Sequence, residues 1–374
     1  LLTLPHIRRA TTQRSLTSGR EPPNAPSHRS GSRSMGLAKQ HNRLWITSAR
    51  IREWVHNASM TLPPELPGPL ATGPFTIAAA TSLGVPRTRL RKPDVRPVSR
   101  GVYRPVAWSF ELEAAARALS AASPNAWISH ITAARLRNQL LPPWLSDSEE
   151  LHLSKPRAMP EVRRKGIIGH TVLAFDDEIE TSDGIRISTR SRTWLDLARR
   201  LSLPDLVCMG DQLIRMPRFD LEGRSEPFAT IDGLRSLVGR HPNLQGIIRA
   251  RAALDLMRVG SDSGPETLLR LAMCDAGLPE PELQIPLRPD SPRSPTADLG
   301  YRRRRLAVQY DGDHHLLPDQ MFSDRRRDKA FESAGWTVVV LTKDDLADGF
   351  DVAIAMIKRR LRKAYVSPVT AAGF

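Results

Sequence analysis

Cysteine is nearly missing from this chain of 374 residues: Cys208 and Cys274 are its two. Neither belongs to a Cys-x-x-Cys pair or a Cys/His cluster, which argues against a disulfide framework and a cysteine-ligated zinc site; free thiols buried in a reducing cytoplasm are the plain reading. Long apolar runs are missing as well. No stretch approaches the eighteen or so residues that a membrane-spanning helix needs. Acidic residues are scarce at the start, where residues 1–59 hold ten Lys/Arg against two Asp/Glu. The net charge of +15 points toward nucleic acid, yet residues 261–374 hold seventeen of each sign and are neutral overall. About half of the charge therefore belongs to a Ser-, Pro- and Arg-rich leader whose composition predicts disorder.

What is present suffices for ordinary cores, with 40% hydrophobic residues over a length that suits two or three domains. The first residue is Leu1, and Met60 opens a Pro-rich stretch ahead of the first well-patterned segment. Met60 is the expected biological start, with Met35 as the alternative. An organellar transit peptide, Arg-rich and acid-poor, is the competing reading of the leader.

The densest chemistry lies near the C-terminus. Residues Thr296 to Tyr301 and Arg305 to Asp311 alternate β-branched or aromatic with small or polar residues, predicting two strands joined by Arg302 to Arg304. Alternation places Thr296, Asp298 and Gly300 on one face with Ala307, Gln309 and Asp311, and Leu299, Leu306, Val308 and Tyr310 on the other. The apolar face is the expected core and the polar face the expected site. A turn centred between Arg303 and Arg304 sets Asp298 opposite Gln309, with Cβ atoms roughly 5 Å apart, and Asp311 on the diagonal at about 7 to 8 Å. That spacing suits two carboxylates converging on one divalent ion. Upstream, Ser263-x-x-Glu266 before Leu268, Leu269, Leu271 and Ala272 has the spacing of a capping box; Glu266 is either a cap, a metal-facing carboxylate, or both. Asp311-Gly312 is also a common turn dipeptide. His314 and His315 are adjacent, so one of them at most points inward, and imidazole exchanges protons near neutral pH. Arg302 to Arg305 read as a solvated turn or as a phosphate contact.

Taken together, several segments resemble the PD-(D/E)XK nuclease core of very-short-patch-repair-like endonuclease domains in actinobacterial proteins, over about residues 261–364. They are the helix with an early glutamate (Pro265-Glu266-Thr267-Leu268-Leu269-Arg270), the Asp298 strand, the strand end Tyr310-Asp311-Gly312 with histidine following, and Arg325-Arg326-Arg327-Asp328 ahead of Gly335-Trp336. The resemblance implies a restriction-endonuclease-like α/β core and a Mg²⁺- or Mn²⁺-dependent phosphodiesterase acting on DNA. Asp298 and Asp311 are then the metal ligands, Glu266, Gln309, His314 and His315 complete the catalytic set, and Arg325 and Arg326 contact DNA. Two departures stand out. Relatives of this kind carry glutamate where Gln309 stands, and Asp311 occupies the place of the usual lysine. Mg²⁺ is held by one or two carboxylates plus waters and phosphate, so Asp298 and Asp311 suffice for one ion. Charge stabilisation then falls to His314, His315 or an arginine among Arg325 to Arg327.

Near the other end, Thr76 can cap a helix running through Leu83, Gly84-Val85 makes a turn, and Pro86 precedes a second short helix over Thr88 to Arg91. Val98 to Tyr103, with Gly101, reads as a wing. This resembles the winged helix-turn-helix at the front of AbiEi-like antitoxin proteins, where Arg100-Gly101-Val102-Tyr103 recurs in kind. The resemblance implies that Arg87, Arg89, Arg91 and Lys92 face a DNA groove; the plain alternative is a small packing unit with a charged exposed face. In the middle region Ser129 to Leu136, a hairpin at Ser182-Asp183-Gly184 and Arg192 to Ala198 resemble the AbiEi-like central domain. Trp194, Leu195, Leu197, Ala198 and Leu201 predict a core-facing helix. His130 reads there as a packing or capping residue, with no catalytic constellation around it.

The expected whole is an α+β multidomain protein of the cytoplasm: a basic leader at 1–65, a winged-helix-like unit at 66–105, a mixed α/β middle domain at 106–260 and a nuclease-like domain at 261–374. Two functions fit. One is a metal-dependent DNA endonuclease attenuated by Gln309. The other is a DNA-binding regulator or antitoxin-like protein, with a toxin as partner, whose nuclease fold is catalytically inactive. RNA stays open as a substrate.

Overall fold

The computed structural model describes residues 65–218, 222–291, 293–312 and 318–363. Met35, Met60, His314 and His315 lie outside the described residues. The described chain is mixed α+β with three separate sheets. No described helix is long and apolar enough to cross a membrane.

The first sheet is small. Strand β1 (Phe75–Thr76) pairs with β3 (Val102–Pro105), which pairs with β2 (Val95–Ser99), all antiparallel. Gly101 turns the β2–β3 hairpin at φ 75°, a conformation that costs glycine little. Thr76 caps the helix Ile77–Ser82 by accepting from the Ala79 N–H at 3.1 Å, and Phe75, Ala80, Val85, Leu90 and Val95 close a core beneath it. The second helix expected over Thr88 to Arg91 is a single 3₁₀ turn, Arg89–Arg91. Its cause is local. Pro93 stops any helix, and Arg89 folds back onto Asp94 with bonds of 2.8 and 2.6 Å. Arg89 is therefore buried rather than groove-facing, whereas Arg87, Arg91 and Lys92 are exposed.

The second sheet has the order β6-β5-β4-β8-β7, from β4 (Trp127–Ile128), β5 (His152–Pro156), β6 (Ile168–Val172), β7 (Ile179–Ser182) and β8 (Ile185–Ser188). Asp183 and Gly184, at φ 51° and 75°, form the β7–β8 turn, as a two-residue hairpin with both central residues left-handed requires. Helices Leu112–Ala122 and His130–Leu136 lie on this sheet, and four more, Arg190–Leu197, Leu203–Ile214, Ile231–Arg240 and Ile247–Leu256, pack on one another beyond His130–Leu136. Trp194, Leu195, Leu197, Ala198 and Leu201 sit in their shared core, and the Trp194 indole donates to the Leu206 carbonyl at 2.9 Å.

The third sheet, β12-β11-β10-β9, contains β9 (Glu282–Pro286), β10 (Thr296–Tyr301), β11 (Leu306–Tyr310) and β12 (Thr337–Leu341). The first three strands run antiparallel in sequence order, and β11 and β12 are parallel with the helix Pro318–Ser333 as their crossover. Helices Gly264–Asp275 and Asp351–Lys363 cover one face, where Leu269, Met273, Phe350, Ile354 and Ile357 meet Leu299, Leu306, Val308 and Val339. The opposite face, expected to be polar, is partly a second apolar layer. Phe331 packs on Ala307, Ala297 and Ile285, because a parallel crossover returns its helix over the sheet.

The expected boundary at residue 260 is crossed by a buried network. Asp211, on the helix Leu203–Ile214, accepts from the Arg258 N–H at 2.8 Å, from Thr267 Oγ1 at 2.9 Å and from Arg270 Nη2 at 2.9 Å. Cys208 of the same helix is buried and faces the Gly264 carbonyl, and burial pushes its thiol well above the ordinary range. It is expected to resist iodoacetamide in the native protein at pH 8, while half-buried Cys274 is alkylated faster; peptide mapping by mass spectrometry reads both.

Candidate active site

Backbone pairing of β10 with β11 follows Leu299–Val308, Gly300–Ala307 and Tyr301–Leu306. Extended by one step, this register sets Asp298 across from Gln309, the juxtaposition expected from strand alternation. The ladder stops at that step and side chains take over. The Asp298 N–H donates to Gln309 Oε1 at 3.2 Å, and Asp298 Oδ2 accepts from the Tyr310 N–H at 2.9 Å. On its other edge β11 stays joined to β12, with the Asp311 N–H donating to the Leu341 carbonyl at 2.7 Å. Asp298 thus sits at a fork between strands, at the end of the sheet.

A cleft of about 340 Å³ opens there. Five carboxylates line it, Asp262, Glu266, Asp298, Asp311 and Asp324, together with Arg215, Arg218 and Arg327. The wall is composite. Arg215 and Arg218 follow the helix Leu203–Ile214, across the buried Asp211 network, and both pair with Asp262.

Glu266 does two things in this wall. As a cap, its Oε1 accepts from Ser263 Oγ at 2.7 Å and its Oε2 from the Asp262 N–H at 2.9 Å, while its own N–H reaches Ser263 Oγ at 3.4 Å. As an acid, it is pushed up to about 7, by burial first and then by the charge of Asp298. Asp298 is pushed up to about 6 by burial, against the opposing pull of the Tyr310 N–H and Arg327. Two carboxyl groups near neutrality, facing one cleft, form a site that an added cation would relax.

Two Mycobacterium tuberculosis proteins are similar to this chain: uncharacterized protein MT2308 of strain CDC 1551 / Oshkosh and uncharacterized protein Rv2248 of strain ATCC 25618 / H37Rv. Each is 30% identical to it over 207 residues, covering 55% of this chain and 73% of the relative. The chain belongs to their family. These relatives come from an actinobacterium, the group to which the sequence resemblances pointed. No profile of a known protein family matches the chain, and no solved structure does. Neither mycobacterial name carries an activity, so the chemistry has to come from the cleft.

The structure brings Glu266, Asp298 and Asp311 to one cleft and leaves other candidates outside it. Gln309 is fully buried and turned inward: its oxygen is used by Asp298, and its Nε2 finds no hydrogen-bond partner among the described residues. Gln309 is therefore a brace for the fork and does not face an ion. Arg325 and Arg326 are exposed on their helix, while Arg327, one step round, reaches the cleft. Sequence reading missed Arg215 and Arg218, which lie some fifty residues upstream of the nuclease-like motifs and carry no local signal. No three carboxylates of the cleft come within 4.8 Å of one another. Among the described residues, the side chains that do so with metal-ligating atoms are His130, His152 and His170, in another part of the fold.

Proposed function

We propose that the cleft hydrolyses phosphodiester bonds in DNA with the help of Mg²⁺ or Mn²⁺, as a member of the PD-(D/E)XK nuclease class. The observation that carries this reading is the buried Asp298 carboxyl at the strand fork, beside Glu266, both pushed toward neutral pH. The order helix, three antiparallel strands, crossover helix, parallel strand supports it. So does the donor set. Asp298 has one oxygen engaged by the Tyr310 N–H, Asp311 stands next to it in the cleft lining, and hard carboxylate oxygens of this kind suit Mg²⁺. When bound, the ion would polarise the phosphate and acidify a water.

The protein's own groups divide the remaining work. Asp298 and Asp311 would hold the ion. Glu266, titrating at about 7, is matched to accept and return a proton at neutral pH. Arg327, and beyond it Arg218 and Arg215, face the non-bridging phosphate oxygens, the part that a lysine would otherwise play. Gln309 holds the fork with an uncharged amide, so the site carries one negative charge fewer than a glutamate would give it.

A second reading, a DNA-binding regulator or antitoxin-like protein with an idle nuclease fold, is favoured by one observation: no lysine lines the cleft among the described residues. Supercoiled plasmid separates the two. With Mg²⁺ or Mn²⁺ the full chain is expected to nick it and Asp298→Ala to leave it intact. Metal-dependent nicking that persists in Asp298→Ala would remove the cleft from the chemistry. A parent that binds duplex DNA in a gel shift but nicks it with neither metal would favour the regulator.

A further inference from the structure

His130, His152 and His170 come from three elements far apart in sequence: the first residue of the helix His130–Leu136, the first of β5 and the middle of β6. One ring nitrogen of each lies within 4.8 Å of the others. The His130 and His170 rings are stacked 3.7 Å apart, and His152 Nδ1 lies 2.8 Å from His170 Nε2. The strands β5 and β6 are parallel, with Ser154 across from His170, and this register carries the two imidazoles together. His130 is an L residue held at φ 53°, a conformation that costs of order 1 kcal/mol or more and that recurs at functional sites.

The outward nitrogens are held from behind. His130 Nδ1 meets Ser129 Oγ at 2.9 Å, and that hydroxyl in turn accepts from Ser154 Oγ at 2.7 Å. His152 Nε2 meets Glu150 Oε2 at 3.2 Å, and Arg200 fixes that carboxylate from the other side at 2.7 Å. A carboxylate behind an imidazole sets its tautomer and aims the opposite lone pair, the arrangement that orients histidine ligands on metals. Two of the three rings are thus fixed from behind, and the cluster brings one nitrogen of each ring within 4.8 Å of the others. In front of them lies a cavity of about 1080 Å³, which Asp196 also lines; Asp196 is buried, and its Oδ2 has no hydrogen-bond partner among the described residues.

We propose that His130, His152 and His170 bind one divalent ion of the zinc class, leaving a fourth coordination position that opens on this cavity. Imidazole nitrogens select Zn²⁺, Co²⁺, Ni²⁺ or Cu²⁺ over Mg²⁺, and three histidines with one open position are a common catalytic zinc set. Burial lowers the proton affinity of all three rings, so the lone pairs a metal needs are available at neutral pH. The site is independent of the acidic cleft in residues, donor chemistry and preferred metal. Asp196 pairs with Arg192 through Oδ1 and leaves Oδ2 over, in a wall that also carries Glu161, Arg157, Arg199 and Arg240.

Equilibrium dialysis of the full chain against Zn²⁺, followed by metal analysis, tests the assignment. One zinc per chain is expected, retained by Asp298→Ala, weakened about 10- to 100-fold by Glu150→Gln and lost in His170→Ala. His170 lies on a half-exposed strand, so its loss spares the core. Cobalt loading of the unaltered chain requires no variant: the visible bands of four-coordinate Co²⁺ are expected without thiolate charge transfer. Failure of the unaltered chain to retain zinc or cobalt, or equal retention by His170→Ala, would overturn the proposal.

Discussion

Asp298→Asn is expected to be both inactive and more stable than the parent. On the proposed reading the carboxylate is a metal ligand worth several kcal/mol of charge stabilisation, so nicking of plasmid is expected to fall on the order of 10³-fold. Stability moves the other way. Asp298 titrates at about 6 in the fold against 3.8 for a free carboxyl, so below pH 3.8 both states are protonated and its contribution is fully present. As pH rises through 6 the folded state is forced to carry a buried charge, and up to about 3 kcal/mol is lost by pH 8. Asparagine keeps an oxygen for the Tyr310 N–H and carries no charge. In EDTA at pH 8 its melting temperature is therefore expected to exceed the parent's by several degrees, with the difference vanishing near pH 4. Mg²⁺ is expected to raise the parent's melting temperature and leave the variant's unchanged. Equal melting temperatures at pH 8 in EDTA would mean that the cleft is not strained by its own acids.

Arg270→Met is expected to cost about 3 to 5 kcal/mol. Arg270 and Asp211 are both essentially sealed from solvent, at 1% side-chain exposure each, and their bond is 2.9 Å. Without the guanidinium, Asp211 keeps only Thr267 and the Arg258 N–H, too little to hold a charge in the interior. The double variant Asp211→Leu/Arg270→Met is expected to regain most of the loss, short of about 1 to 2 kcal/mol for the Arg258 N–H left without an acceptor. Urea unfolding midpoints of the four proteins in the cycle measure this. A double variant as unstable as the single would place the cost in packing.

Much of the sheet around Asp298 was legible because strand periodicity is a local property. Thr296–Tyr301 has the bounds that alternation predicted, and three arginines followed by Arg305 at φ 46° make the turn. Ser263 as the N-cap and Glu266 in the first turn were readable for the same reason, since they lie within four residues, although the glutamate reaches the Asp262 N–H where a capping box would use that of Ser263. Side-chain direction at the fork was not readable. Alternation puts Gln309 on the face of Asp298, but the inward bond to the Asp298 N–H decides where its amide goes. The second helix of the N-terminal unit is cut to the turn Arg89–Arg91 by Pro93, which was legible, and by the ion pair Arg89–Asp94, which propensity does not register. The histidine triad was invisible because its members lie about twenty residues apart, with no short metal-binding spacing. The available signal was two histidines, His152 and His170, each placed inside a short strand-forming segment.

The helix Leu203–Ile214 reaches both places where chemistry is concentrated. Its C-terminal end delivers Arg215 and Arg218 to the acidic cleft, and Leu206 near its start holds Trp194, two residues before Asp196. Positions 211, 267 and 270 answer one another across the boundary between the two regions. Within this family, then, inheritance is expected to treat residues from about 200 to 310 as one block: an apolar residue at 211 accompanied by one at 270, and the nuclease-like segment not exchanged between members without the helix that completes its wall.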